Sequence, residues 1–130
     1  LPASPETWAY DPGQMLDVIL YVALEAALSA LVIMWVPYTE IDWSTYMQHV
    51  RLFLRGERHY HQLTGPTGPA VYPAGFIWSF TGLYAITRGG KDILAAQWTF
   101  YAIYLVQCIL AAVVFCNCKV LVICCILIIY

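Results

Sequence analysis

Residues 37–75 read PYTEIDWSTYMQHVRLFLRGERHYHQLTGPTGPAVYPAG and lie between two strongly apolar stretches. Against a background with few charges, this segment holds Glu40, Asp42, Arg51, Arg55, Glu57 and Arg58, and all three histidines, His49, His59 and His61. A chain that gathers its polar side chains into one connecting segment is presenting that segment to something, because connections carry chemistry more often than the elements they join.

Outward from this stretch the composition is that of a chain in lipid. The 130 residues are 62% hydrophobic and 11% charged, against about 25% charged in a typical soluble domain. Continuous apolar runs, not alternation, make up the excess. The net charge of −2 argues against nucleic acid as a partner, which calls for a basic face. Four of the five cysteines (Cys116, Cys118, Cys124, Cys125) crowd into the last apolar segment. That spacing does not suit a disulfide-stapled domain and reads as buried thiols. The chain does not begin with Met and stops inside the run LVICCILIIY, so it reads as an N-terminal piece of something longer and is not expected to be active by itself.

Residues 1–14 form a polar tail, and 15–36 a first transmembrane helix of about the 20 residues a bilayer requires. Residues 37–69 are a loop, 70–87 a second and short span with Pro73 in its first turn, and 88–92 a tight polar turn. Residues 93–115 are a third span, broken by the polar Cys116–Lys119 stretch, and 120–130 begin a fourth apolar segment. The expected fold class is an all-α polytopic membrane protein with about three to four transmembrane helices. Counting Lys and Arg alone puts the loop in the cytosol.

Within the loop, Trp43, Tyr46, Met47, Val50, Phe53 and Leu54 recur at helical spacing with Ser44, Gln48, Arg51 and Arg55 opposite. This predicts an amphipathic helix lying along a membrane surface, started by a capping box from Thr39 to Asp42 and stopped by Gly56. The prolines of TGPTGP, residues 64–69, argue against regular structure there.

Asp42 is placed to take a proton from an attacking hydroxyl, or to cap the surface helix; Glu40 competes for either role. Arg51, Arg55 and Arg58 match a lipid-linked phosphate, or form a solvated face near anionic headgroups. Gly65 and Gly68 allow either close approach to a phosphate or a sharp chain reversal. Glu25, inside the first span, is a functional carboxyl or a hydrogen-bonded structural one, and the structural role is preferred. The histidines have no partners at ligand spacing, so no metal site is expected.

The strings YTEIDW-x-x-YM (Tyr38 to Met47) and TGP-x-VYPAG (Thr67 to Gly75) carry the reading further, with GLYAITRGGKD (Gly82 to Asp92) and Ala96-Gln97 in support. Together they closely resemble the first loop of the dolichyl-phosphate-mannose-dependent α-1,3-mannosyltransferases of the endoplasmic reticulum, from about Glu25 to Lys119. The resemblance implies a C-type glycosyltransferase fold with the loop in the lumen, which overrides the charge count, and with the 88–92 turn cytosolic. It implies inverting transfer of mannose from a dolichyl-phosphate-mannose donor to the five-mannose dolichyl-pyrophosphate-linked oligosaccharide acceptor, in a protein surrounded by membrane lipid, with no metal and no cofactor. By position, Asp42 matches the proposed catalytic base and Glu40 lies beside it. Tyr46, Thr67, Gly68, Pro69, Tyr72 and Pro73 match positions that shape the donor and acceptor groove; Arg58 is added as a substrate-binding candidate on its guanidinium chemistry, not on the resemblance. The non-enzyme alternative is a membrane scaffold or transporter fragment that uses the loop to bind a partner.

Overall fold

The apolar run from Met15 meets no glycine or proline before Pro37, and it folds as one helix. The computed structural model describes residues 12–117. In chain order these form α1 (Pro12–Trp35), α2 (Trp43–Leu54), one 3₁₀ turn (Tyr60–Gln62), a hairpin of β1 (Thr64–Gly65) and β2 (Gly68–Pro69), α3 (Ala74–Ile86) and α4 (Ile93–Asn117). They group into two units. One holds α1 to Met34 with α4 from Tyr101, and the other is Trp35–Phe100.

α1 and α4 supply the two candidate membrane spans, Met15–Trp35 and Ile93–Val114; the second begins within the Trp35–Phe100 unit. At about 1.5 Å per residue each exceeds the roughly 30 Å of a hydrocarbon core. Leu20 and Leu24 are each 58% exposed, a surface that is costly in water and suits acyl chains. Glu25 is not left alone on this surface. The Tyr104 hydroxyl donates to its carboxyl at 2.7 Å, and the Tyr101 hydroxyl donates to the Ala26 carbonyl at 3.2 Å. The expected structural role of Glu25 thus has a named partner. α1 starts at Pro12, earlier than expected, and α4 runs through Asn117 instead of breaking at Cys116. Residues 120–130 lie outside the described residues.

The second unit corrects the expected span over 70–87. Its helix, α3, has 13 residues, about 20 Å of rise and too short to cross. Pro73 does not sit in its first turn; it precedes the helix in an extended conformation, φ −64° and ψ 161°. Part of the apolar surface of α3 serves a protein core: Ile77 and Leu83 are buried, while Trp78 and Ile86 stay exposed. Trp43 and Met47 of α2, Leu83 of α3 and Ala96 of α4 form that core, with Tyr46, Phe80, Tyr84 and Ile93 packed around it. The Trp43 indole N–H donates to the Gly90 carbonyl at 2.9 Å. Residues 88–92 therefore pack on the first helix of the loop, and the loop and this turn belong to one body. A cytosolic turn opposite a lumenal loop is incompatible with that packing.

α2 occupies the expected Trp43–Leu54, and Gly56 follows it at φ +104°, the left-handed conformation that ends helices. It does not lie bare along a membrane. Trp43, Met47 and Val50 are buried within the protein, and so are Thr45 and His49 on a second side; only Leu54 of the stripe is exposed. The second side is covered by the hairpin, which corrects the expectation that TGPTGP has no regular structure. Gly65 pairs with Gly68 and Thr64 with Pro69, and the Ala70 N–H donates to the Leu63 carbonyl at 2.8 Å. Antiparallel ladders alternate hydrogen-bonded and open pairs. Pro69 falls at an open pair, where its missing donor costs nothing, and Pro66 falls in the turn.

Candidate functional site

The N-terminal end of α2 brings two carboxylates together and gives them different work. Glu40 accepts the Asp42 N–H at 2.6 Å, the Trp43 N–H at 2.7 Å and the Tyr38 hydroxyl at 2.8 Å. The two N–H groups are free donors of the helix start, and an anion there also meets the positive end of the helix dipole. Asp42 occupies the N-cap position but makes no side-chain capping bond. The expected alternative, Asp42 as the cap, is therefore corrected: Glu40 holds the helix start. Asp42 keeps a half-buried carboxylate that takes no hydrogen bond among the described residues.

Below Asp42, the positions i+3, i+4 and i+7 on the same helix face are Thr45, Tyr46 and His49. Each anchors part of the surroundings. The Thr67 N–H and hydroxyl both donate to the Thr45 hydroxyl, at 3.0 and 2.8 Å. His49 Nε2 lies 3.0 Å from the Gly68 carbonyl; a carbonyl only accepts, so Nε2 carries the proton and donates. His49 Nδ1 is buried without a hydrogen-bond partner among the described residues. Gly65 lies so near that a Cβ on it would stand 2.8 Å from the Thr45 Cα.

Tyr46 faces an aromatic ladder. Tyr72, Phe76 and Phe80 recur every four residues, stacked with centroids 4.4 and 4.0 Å apart. The Tyr46 ring meets all three edge-on at 5.0–5.7 Å. Its hydroxyl shares a 3.2 Å hydrogen bond with that of Tyr72. That bond, then burial, then the Asp42 charge raise the Tyr46 phenol well above the ordinary tyrosine range. The group therefore stays neutral at physiological pH. Burial and the Glu40 carboxylate likewise push Tyr38 up to about 12. Beside these rings opens a cavity of about 340 Å³ lined by Tyr38, Glu40, Trp43, Tyr46, Phe80, Gln97 and Phe100, among others.

The structure thus brings Glu40, Asp42, Tyr46 and Tyr72 together and sets Thr67 and Gly68 on the same face of α2. The bonds of Thr67 and Gly68 serve to dock the hairpin, with Pro69 at its end and Pro73 leading into α3. Arg58 is not brought in. Its guanidinium lies 4.2 Å from the centroid of the Phe53 ring and donates to the Phe53 and Glu57 carbonyls at 2.5 and 2.9 Å. The sequence assigns no site role to Thr45, His49, Tyr38 or Gln97: His49 enters it only as a rejected metal ligand, and Tyr38 and Gln97 only within the matching strings. Only the spacing of Thr45 and His49 from Asp42 hints at their role.

The ALG3 protein family matches residues 19–130. The chain belongs to the ALG3 family. Its relatives include the Dol-P-Man:Man(5)GlcNAc(2)-PP-Dol alpha-1,3-mannosyltransferase of Neurospora crassa, 49% identical over 64% of this chain and 19% of that protein. The Mus musculus protein of the same name is 47% identical over 70% of this chain and 21% of its own length. The Drosophila melanogaster dolichyl-P-Man:Man5GlcNAc2-PP-dolichol alpha-1,3-mannosyltransferase l(2)not2 is 45% identical over 75% and 20%. This ALG3-family chain therefore spans about a fifth of the length of these relatives. No solved structure matches it.

Proposed function

We propose that this chain supplies the N-terminal, base-bearing part of an enzyme that transfers mannose in α-1,3 linkage. The donor is dolichyl-phosphate-mannose and the acceptor is the five-mannose dolichyl-pyrophosphate-linked oligosaccharide. Family membership supports this reading over the scaffold or transporter alternative, since the relatives are named as that transferase. The observation that carries it is the division of labour at the start of α2. Glu40 is spent on the helix, which leaves Asp42 as the carboxylate able to accept a proton.

In this mechanism Asp42 takes the proton from the acceptor hydroxyl as its oxygen attacks the anomeric carbon. The bond from that carbon to the phosphate oxygen breaks, and the phosphate leaves with the electron pair. Attack from the face opposite the leaving group turns a β-linked donor into an α-linked product. Tyr46, neutral and held between Asp42 and the ladder, orients the hydroxyl and does not compete for its proton. Phe80, Phe100 and Trp43 give apolar walls to the cavity that Glu40 lines at the start of α2, and Gln97 a polar contact.

A C-type glycosyltransferase fold, an endoplasmic reticulum membrane and a lumenal Trp35–Phe100 unit complete the proposal. The two candidate spans, in α1 and α4, support the membrane setting. The test is a chimera in which residues 19–117 replace the matching segment of the full-length Mus musculus relative. In membranes lacking the endogenous activity it is expected to add one mannose to the five-mannose lipid-linked glycan. A folded chimera that leaves the five-mannose glycan unextended contradicts the proposal.

A further inference from the structure

The C-terminal half of α2 and the turn after α3 flank a second, open cavity, of about 410 Å³, lined by the exposed Arg51, Arg55, Arg88 and Lys91 with Leu54 and Tyr84 among the rest. We propose that this basic cavity binds the phosphate of an anionic phospholipid headgroup and so seats the Trp35–Phe100 unit on the bilayer surface. The inference does not depend on Asp42 or on sugar transfer.

Four of the five lysines and arginines among the described residues converge here from two elements more than 30 residues apart. None forms an ion pair among the described residues. The acids nearest in sequence bond backbone groups and not these cations. Glu57 accepts the Arg58 and His59 N–H groups, and Asp92 accepts the Ala95 N–H. Glu40 and Asp42 stand at the other end of α2. Helix ends account for only part of the charge. Leu54 and Ile86 close α2 and α3 close by, and each C-terminus contributes about −0.5 of a charge. Four cations outnumber these two ends and the neighbouring Glu57 and Asp92 carboxylates, and the surplus suits a phosphate.

Two further features give that phosphate its source. Lys91 is two residues before Ile93, the first residue of a 22-residue membrane-length apolar segment. The cavity is therefore tied to the depth where a chain enters the bilayer, and the phosphates concentrated at that depth belong to lipids. Arg88 adopts φ 54°, a left-handed conformation that glycine or asparagine takes without strain and arginine does not. The backbone of the turn does not ask for arginine there, so the side chain is held for its charge. A guanidinium pairs two N–H groups with two phosphate oxygens, which Arg51, Arg55 and Arg88 are each equipped to do.

The test uses the full chain in neutral detergent micelles, with fluorescently labelled short-chain phosphatidic acid followed by anisotropy. Phosphatidylcholine, inorganic pyrophosphate and dolichyl phosphate serve as competitors. Arg51→Gln/Arg55→Gln and Arg88→Asn/Lys91→Gln are each expected to weaken phosphatidic acid binding at least about tenfold. Arg58→Gln removes a charge already engaged with Phe53 and is expected to leave binding within about twofold of the parent. Equal losses in all three variants, or equal binding of phosphatidylcholine, would reduce the cavity to diffuse charge and overturn the proposal. Displacement by pyrophosphate at equal concentration, or dolichyl phosphate binding more than about tenfold tighter, would overturn the phospholipid as occupant. Should a glutamine pair unfold, Arg51→Lys/Arg55→Lys keeps charge and bulk. It is expected to bind phosphatidic acid a few-fold more weakly than the parent and still in preference to phosphatidylcholine; loss of that preference overturns the proposal.

Discussion

The Glu40 carboxylate accepts the backbone N–H of Asp42 at 2.6 Å, so one acid positions the other. Both sit where the chain enters α2, yet only Glu40 is bound into the start of the helix. Exchanging their roles would require Glu40 to release two backbone donors and the Tyr38 hydroxyl.

Glu40→Ala should therefore act on stability first. It strips acceptors from the start of α2, a change that costs about 1 kcal/mol for a typical cap. Thermal unfolding followed by circular dichroism should show a lower midpoint, whereas Asp42→Ala, with no capping bond to lose, should move it much less.

The Tyr38 phenol gives a pH signature of the same corner. Burial first, and the Glu40 hydrogen bond next, push it up to about 12 from an ordinary value near 10. A raised folded value favours the protonated form, so this contribution is fully present below about pH 10 and is lost as pH climbs through about 12. Ultraviolet titration of tyrosinate should show this group returning toward its ordinary value in Glu40→Ala. An unchanged titration would argue against the bond.

Gly65 tests how the hairpin is seated. A Cβ at this position would stand 2.8 Å from the Thr45 Cα, and backbone cannot move aside as a flexible side-chain tip can. Gly65→Ala should cost about 1–3 kcal/mol, as overpacking does, and should open residues 58–70 to limited proteolysis. Gly75→Ala meets nothing within 4 Å and is the control.

Sidedness follows from packing. The Trp43 indole bonded to Gly90 ties the loop to the 88–92 turn. Cysteines introduced at Glu57 and Lys91 should therefore respond alike to a membrane-impermeant maleimide in sealed microsomes. With a lumenal unit, both should be protected until detergent is added. One labelled and one protected would restore α3 as a span.

These outcomes show where sequence patterns stop. α1, α2 and α4 were legible because length and three-to-four-residue periodicity follow from helix geometry alone. The 70–87 run was not: an apolar stretch reads the same whether lipid or protein covers it. Leu83 and Phe80 turned out to face α2 and α4, not acyl chains. The Glu40–Asp42 pair was legible as a candidate site, but the assignment of the cap was not, because it depends on which carboxylate curls back. Thr45 and His49 were missed because their partners, Thr67 and Gly68, lie about twenty residues away. Arg58 was grouped with Arg51 and Arg55 by proximity in sequence, whereas the fold groups those two with Arg88 and Lys91.

The central claim is that Asp42, and not Glu40, accepts the proton. Its most direct measurement compares mannose transfer by the Asp42→Asn and Glu40→Gln forms of the full-length chimera at matched, folded protein level. Asparagine preserves shape but cannot take the proton, and loss of a positioned base typically costs about 10²–10⁴ in rate. Asp42→Asn should fall by that factor, while Glu40→Gln, which keeps a carbonyl for the helix donors, should stay within about tenfold of the parent. Near-parental transfer by Asp42→Asn, with the larger loss in Glu40→Gln, would contradict the account.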